Sequence, residues 1–322
     1  MSNSGVAFGA SRALDALPVV MRVLSIVLLS AILAACSAGN VTRDSTPTAT
    51  IHYTPEPTLA PSSTPAPTAS AAPTPNWTAA PVIANDAASL ATQFVMVEAL
   101  IHDPSATADQ LAWAGHAEQL DISRLADYPE WTDQVVSALP PTPKATITAA
   151  IEAGKQLRQL HAGPIPKNLP DWHIVQPPPI AELMSYYKEA ETTFGVPWYF
   201  LASINLIETR MGRIRGDSSA GAQGPMQFIP STWASYGAGG DVNSYHDSIL
   251  AAARYLKAAG APGDMDKAIF AYNHSSFYVN AVKGYGEAMH ADPLAYRGFY
   301  GWQVYYPTLD GPIWMPPGWT KP

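Results

Sequence analysis

Proline sets the first limit on what this chain can fold into, because of where it falls. Of 322 residues 31 are proline, and many lie between residues 37 and 82, in loose repeats such as Ser63-Thr64-Pro65-Ala66-Pro67-Thr68. A tract of Thr, Pro, Ser and Ala buries too little apolar surface to offset its ordering entropy, so a disordered linker is expected there. Pro164, Pro166, Pro170 and Pro177-Pro178-Pro179 predict a second, stiffer connector over 164–179. Packed structure is thereby confined to residues 83–163 and 180–322.

Both stretches read as helical. In the first, Leu90, Phe94, Val97 and Ile101 recur at helical spacing, and Thr107-Ala108-Asp109-Gln110 has the form of a helix start. Leu111, Ala114, Glu118 and Ile122 continue that second helix, after which Pro129, Pro140, Pro141 and Pro143 cut shorter pieces. Nothing catalytic stands out there, and 83–163 reads as a small helical stalk. In the second stretch the pattern predicts helices over 180–194, 197–211, 246–259, 265–273 and 277–289, with Gly195 and Gly260 as C-caps. The expected fold class is all-α.

Composition removes several functions. A net charge of -8 with only 18 Lys and Arg leaves no basic stripe for nucleic acid. The single cysteine, Cys36, rules out an internal disulfide or a multi-cysteine metal site. It follows Met21-Arg22, an apolar run from Val23 to Leu33, and Ala34-Ala35. That run is short for a membrane span, and the arrangement resembles a bacterial lipoprotein signal with Leu33-Ala34-Ala35-Cys36 as its lipobox. The resemblance implies cleavage before Cys36, lipidation of its thiol and anchoring in the bacterial envelope, on the outer side of the cytoplasmic membrane or in an outer membrane. Met21 is the expected start of that signal, and residues 1–36 are expected to form the signal segment ending at the lipid-bearing Cys36.

The residues with chemical potential lie in 180–322. Leu201, Ile204, Glu208 and Met211 share one helix stripe, so the Glu208 carboxyl is expected to lose hydration, which raises its pKa toward that of a general acid. A plain ion pair with Arg210, Arg213 or Arg215 is the competing expectation. Gly221-Ala222-Gln223-Gly224-Pro225-Met226-Gln227 then joins a glycine-bearing loop to an amide that both donates and accepts, as sugar hydroxyls and N-acetyl groups require. Ala271-Tyr272-Asn273 closes another helix, where its polar groups can face a cleft.

Together, Glu208-Thr209, Gly221 through Gln227 and Ala271-Tyr272-Asn273 resemble the three motifs of lytic transglycosylases with a goose-lysozyme-like domain. Phe228-Ile229-Pro230-Ser231-Thr232-Trp233 is similar to the lytic murein transglycosylase B branch. The resemblance covers roughly residues 179–289. It implies a lysozyme-like helical domain, peptidoglycan glycan strands as substrate, Glu208 as catalytic acid and base, and Ser218, Gln227, Tyr272 and Asn273 as substrate contacts. It implies no cofactor, and a monomer is expected. Members of the branch often carry an Asp-rich calcium loop after the Trp; here only Asp241, Asn243 and Asp247 stand in Gly239–Asp247, so no metal is expected.

Three functions remain open on the residues themselves. A lytic transglycosylase needs one carboxyl; a muramidase needs a second, for which Asp217 is the best placed; a wall-binding lipoprotein without activity needs neither. The C-terminal aromatics Tyr296, Phe299, Tyr300, Trp302, Tyr305, Tyr306, Trp314 and Trp319 are expected mainly to complete a core, with Asp310-Gly311 as a hairpin turn.

Overall fold

Helix starts and stops follow local chemistry throughout the computed structural model, which describes residues 75–322. The signal segment 1–36 with its Cys36, and the linker up to residue 74, lie outside the described residues. Helix α1 (Ala87–His102) begins where the Asp86 side chain accepts the Ser89 N–H. A reciprocal Thr107–Gln110 capping box opens α2 (Ala108–Asp127), as the sequence predicts. A short turn at Pro129–Trp131 leads into α3 (Thr132–Ala138), and Pro141 opens α4 (Pro141–Leu160). After strand β1 (His173–Ile174) come α5 (Ile180–Phe194), ended by left-handed Gly195, and α6 (Trp198–Thr209). The remainder runs β2 (Ile214–Arg215), α7 (Pro230–Tyr236), α8 (Tyr245–Ala259), α9 (Met265–Tyr272), α10 (Ser276–Ala291), α11 (Ala295–Gly301), β3 (Val304–Thr308) and β4 (Gly311–Met315). The molecule is helix-rich, compatible with the all-α class, and carries two small antiparallel sheets among its described residues.

The expected segment boundaries change in three places. The linker does not extend to residue 82, because Trp77 packs edge-on against Trp113 at 5.3 Å and Gln93 bonds both Val82 O and the Ala84 N–H. One aromatic ring and one amide suffice to hold the last residues of the tract on the fold. Residues 164–179 are more than a stiff connector: Ile174 pairs with Ile214, donates to Trp319 O and accepts from the Gly318 N–H. Around that stitch a second, minor core forms from Ile174, Ile214, Val304, Tyr306 and Met315.

The stalk, finally, is no separate unit. A single apolar core runs from Leu90 and Phe94 in α1 through Ile147 in α4 to Leu201, Ile204, Val282 and Phe299. Helix α4 lies along α10 and α2 along α11. The approach of the second pair is so close that a Cβ on Gly115 would stand 2.7 Å from the Cα of Gly301. Gly115→Ala is therefore expected to strain the α2–α11 seam by about 1–3 kcal/mol and lower the thermal midpoint by roughly 5 °C. An unchanged midpoint would mean that α2 does not sit on α11.

At the centre lies α6, whose residues Trp198 and Phe200 through Thr209 are all buried. Its apolar sequence has no polar face, as befits a helix surrounded on all sides. Whatever polar group it carries is held out of water.

Candidate active site

Among the polar groups of α6 Glu208 is the one carboxyl, placed in its last turn and only 7% exposed. Burial disfavours its charged form and pushes its pKa up to about 7, while a hydrogen bond donated by the Tyr278 hydroxyl to Oε1, at 2.6 Å, pulls the other way. The expected competitor, an ion pair with a neighbouring arginine, does not form. Arg210 donates to Leu206 O, Arg213 to Trp302 O and Tyr300 O, and Arg215 to Asn243 O. Two of these are turned away because α6 ends in left-handed Arg210 and Met211 (φ 54° and 61°), which reverses the chain at once.

Tyr278 was not legible as a site residue. It starts α10 on the same buried stripe as Val282 and Tyr285, and is 1% exposed. A tyrosine on a buried stripe needs a partner for its hydroxyl. That need is the signal that points to it, since Glu208 is expected on a buried stripe.

The other expected residues divide. Tyr272 stands beside the acid: its ring is parallel to that of Tyr278, 6.5 Å away, and its hydroxyl donates to Met226 O at 2.6 Å. The loop 223–228 is thereby brought to the same place, closed on itself by Phe228 N–H to Gln223 O and Gln223 N–H to Phe228 O. Thr209, next to Glu208, donates to Pro225 O at 2.6 Å. Within that loop Gln227 is half-buried and adopts φ 52°, a conformation that costs a residue other than glycine on the order of 1 kcal/mol. Its Nε2 donates to Gly224 O, which leaves its Oε1 and a second N–H for a ligand. Asn273 caps the C-terminus of α9, half-buried, one residue from Tyr272.

Ser218 is differently employed. Its hydroxyl accepts the N–H groups of Ala220 and Ala222, so it shapes the loop after β2 and shows no bond toward Glu208. Asp217 is exposed, with Oδ2 accepting from the Gln223 side chain at 3.3 Å. No hydrogen bond directs it toward the acid.

Asp241 accepts the Asn243 N–H, and Asp247 accepts the Asp241 N–H. Both carboxylates thus fasten the turn before α8. Among the described residues no group of three or more His, Cys, Asp or Glu side chains is arranged to hold a metal ion.

Of the C-terminal aromatics, Tyr296, Phe299, Trp302 and Tyr306 are buried, while Trp314 keeps 37% of its surface in solvent. The hairpin forms one residue earlier than expected: Thr308 pairs with Gly311, so the turn is Leu309-Asp310.

No protein-family model, curated protein or solved structure matches the chain.

Proposed function

We propose that this chain is a glycan-cleaving enzyme with a lysozyme-like helical domain, and specifically a lytic transglycosylase of the peptidoglycan wall. The observation that carries the reading is Glu208: a buried carboxyl with its pKa near 7, held by a tyrosine hydroxyl, with no second carboxylate bonded beside it. Such a group is protonated often enough at neutral pH to act as an acid and basic enough to act later as a base.

One carboxyl supports a two-step reaction that needs no water. Glu208 first gives its proton to the oxygen of the β-1,4 bond between N-acetylmuramic acid and N-acetylglucosamine. That bond breaks as the substrate's own N-acetyl oxygen supports the sugar carbon. Glu208, now ionised, takes the proton from the muramoyl 6-hydroxyl, whose oxygen closes onto C1 as a 1,6-anhydro sugar. The acid is restored, and no redox partner or cofactor enters the balance. In this reading Gln227, Tyr272 and Asn273 hold the strand.

The test is the mass of muropeptides released by the purified protein. Anhydro ends lie one water below hydrolysed ends. Products carrying ordinary reducing ends would replace the reading with a hydrolase, and no released product would replace it with a wall-binding protein.

Anchoring is a separate proposal, resting on the resemblance around Cys36. None of the helices among the described residues is long and apolar enough to cross a membrane. Cys36→Ser is expected to abolish fatty-acid labelling and free the protein from membranes with its activity intact. Equal labelling of both forms would refute the anchor.

A further inference from the structure

The turn of α6 that carries Glu208 also carries an amide with no part in the proton chemistry proposed above. Asn205 lies three residues before Glu208 and four before Thr209, which puts all three on one side of the helix. It is fully buried, a place where an amide is tolerated only when its hydrogen bonds are made. Here they are made. Nδ2 donates to Pro225 O at 2.9 Å and lies 3.3 Å from the Thr209 hydroxyl, while Oδ1 accepts the Tyr187 O–H from α5 at 2.7 Å.

Two of these groups converge on one atom. Pro225 O receives both Asn205 Nδ2 and Thr209 Oγ1, which occupy its two lone pairs. One donor would leave the peptide free to rotate about the bond; two fix its plane. The next carbonyl along, Met226 O, is held from α9 by Tyr272. Both peptide carbonyls before Gln227 are therefore pinned by side chains of two different helices. That double hold accounts for a glutamine kept at φ 52°, because a left-handed conformation persists only where its surroundings over-determine it.

We propose that Asn205, oriented by Tyr187, is a positioning residue for glycan cleavage: through Pro225 O it sets the spacing between the Gln227 amide and the Glu208 carboxyl. This rests on the reading of the site as glycan-cleaving. Acid and pin share one helical turn, so the spacing is a local property of α6 and its loop, indifferent to small shifts elsewhere. Tyr187 acts from α5, edge-on against Tyr296, with its hydroxyl also 3.7 Å from Met211 Sδ.

Two variants test the idea: Asn205→Leu, of similar volume without the donor, and Tyr187→Phe, which deletes only the hydroxyl that orients the amide. Each is measured for kcat, KM and pH profile on purified glycan strands, and for hydrogen–deuterium exchange of the amides over 223–228. A misplaced group costs on the order of 10²-fold in rate, so Asn205→Leu is expected to lose about that much kcat and Tyr187→Phe roughly tenfold. The alkaline limb should stay at the wild-type pH, because Glu208 and Tyr278 are untouched. The Gln227 and Phe228 amides should exchange faster.

Wild-type kcat and unaltered exchange in folded variants, with only a lower thermal midpoint, would reduce Asn205 to a structural residue and overturn the proposal. If Asn205→Leu fails to fold, Tyr187→Phe decides by the same measurements. A wild-type protein that leaves glycan intact overturns the function and the positioning role together. An active wild type with two unaffected variants overturns the positioning role alone.

Discussion

Glu208→Gln is expected to abolish glycan cleavage in a protein that stays folded and still binds the strand. General acid catalysis alone contributes about 10²–10⁴ in rate, and a group that serves both proton steps should cost at least that much when removed. The fold should not suffer. With its pKa raised from the ordinary 4.5 to about 7, Glu208 keeps a proton in the native state that the unfolded chain has already released. Stability therefore falls as pH rises through that window and stays lowered above it, by on the order of 3 kcal/mol. The Gln variant escapes that loss and should melt higher than wild type above pH 7. Asp217→Asn should keep most of the activity, since Asp217 is exposed and bonded only to Gln223. The wild-type rate should decline on the alkaline side near pH 7 as Glu208 ionises. Tyr278→Phe removes the bond that favours the ionised form, so its residual activity should decline at a higher pH. Rates of Glu208→Gln within tenfold of wild type would sink the assignment, and an Asp217→Asn variant equally dead would point to a two-carboxylate hydrolase.

Burial of a carboxyl on an apolar stripe identified Glu208, yet the same signal stands elsewhere and means something different. Glu118 sits on the α2 stripe with Ala114 and Ile122, 1% exposed, its pKa pushed up to about 8. It is sealed under the indole of Trp302, which donates to Oε2 at 2.7 Å, and against Gly298 of α11. What separates the two is the neighbourhood: Glu208 faces two tyrosines and a strained glutamine loop, Glu118 an indole, a glycine and other buried carboxyls. Helices 180–194 and 246–259 were readable to within a residue, because caps such as Gly195 and Ser244 are local chemistry. The union of α1–α4 with the rest was not readable. It depends on Gly115 meeting Gly298 and Gly301 across nearly two hundred positions, and nothing in the neighbourhood of Gly115 announces its partner. Tyr278 and Asn205 escaped for a related reason: each matters through a bond to an atom distant in sequence.

Glu118 belongs to a group, and that group is expected to make the fold lose stability as pH rises. Glu98, Glu118 and Asp121 are each at most 2% exposed between α1, α2 and α11, and Asp292 lies beside them at 5%. Glu98 Oε1, Glu118 Oε1 and both oxygens of Asp121 have no hydrogen-bond partner. Burial comes first in raising all three, and their mutual repulsion adds to it; Arg124 pulls Asp121 back, and Trp302 pulls back Glu118. His102 bonds Asp292 at 2.8 Å and its other ring nitrogen lies 3.9 Å from Glu98 Oε2. The native state thus holds protons that the unfolded chain gives up near pH 4.5, and stability must fall as pH climbs from there through about 8. Each unit of raised pKa is about 1.4 kcal/mol, so Glu118 alone accounts for several. Opposing it below about pH 6.5 is His116, whose buried ring has its pKa pushed down to about 4 and resists charging as pH falls. The clean window is therefore about pH 6.5 to 8.5, across which the thermal midpoint should drop by roughly 10 °C. Glu208→Gln should remove only the part of that drop below about pH 7. The double variant Glu118→Gln, Asp121→Asn keeps the shapes, lets the new amide N–H groups donate to the unpartnered oxygens, and cannot ionise. Its midpoint should fall less steeply than wild type from pH 6.5 to 8.5, keeping only the part that Glu208 and Glu98 contribute, and exceed wild type at the upper end. A wild-type midpoint that does not move across the window, or a double variant that falls as steeply as wild type, would mean that these carboxyls do not carry their protons into the fold.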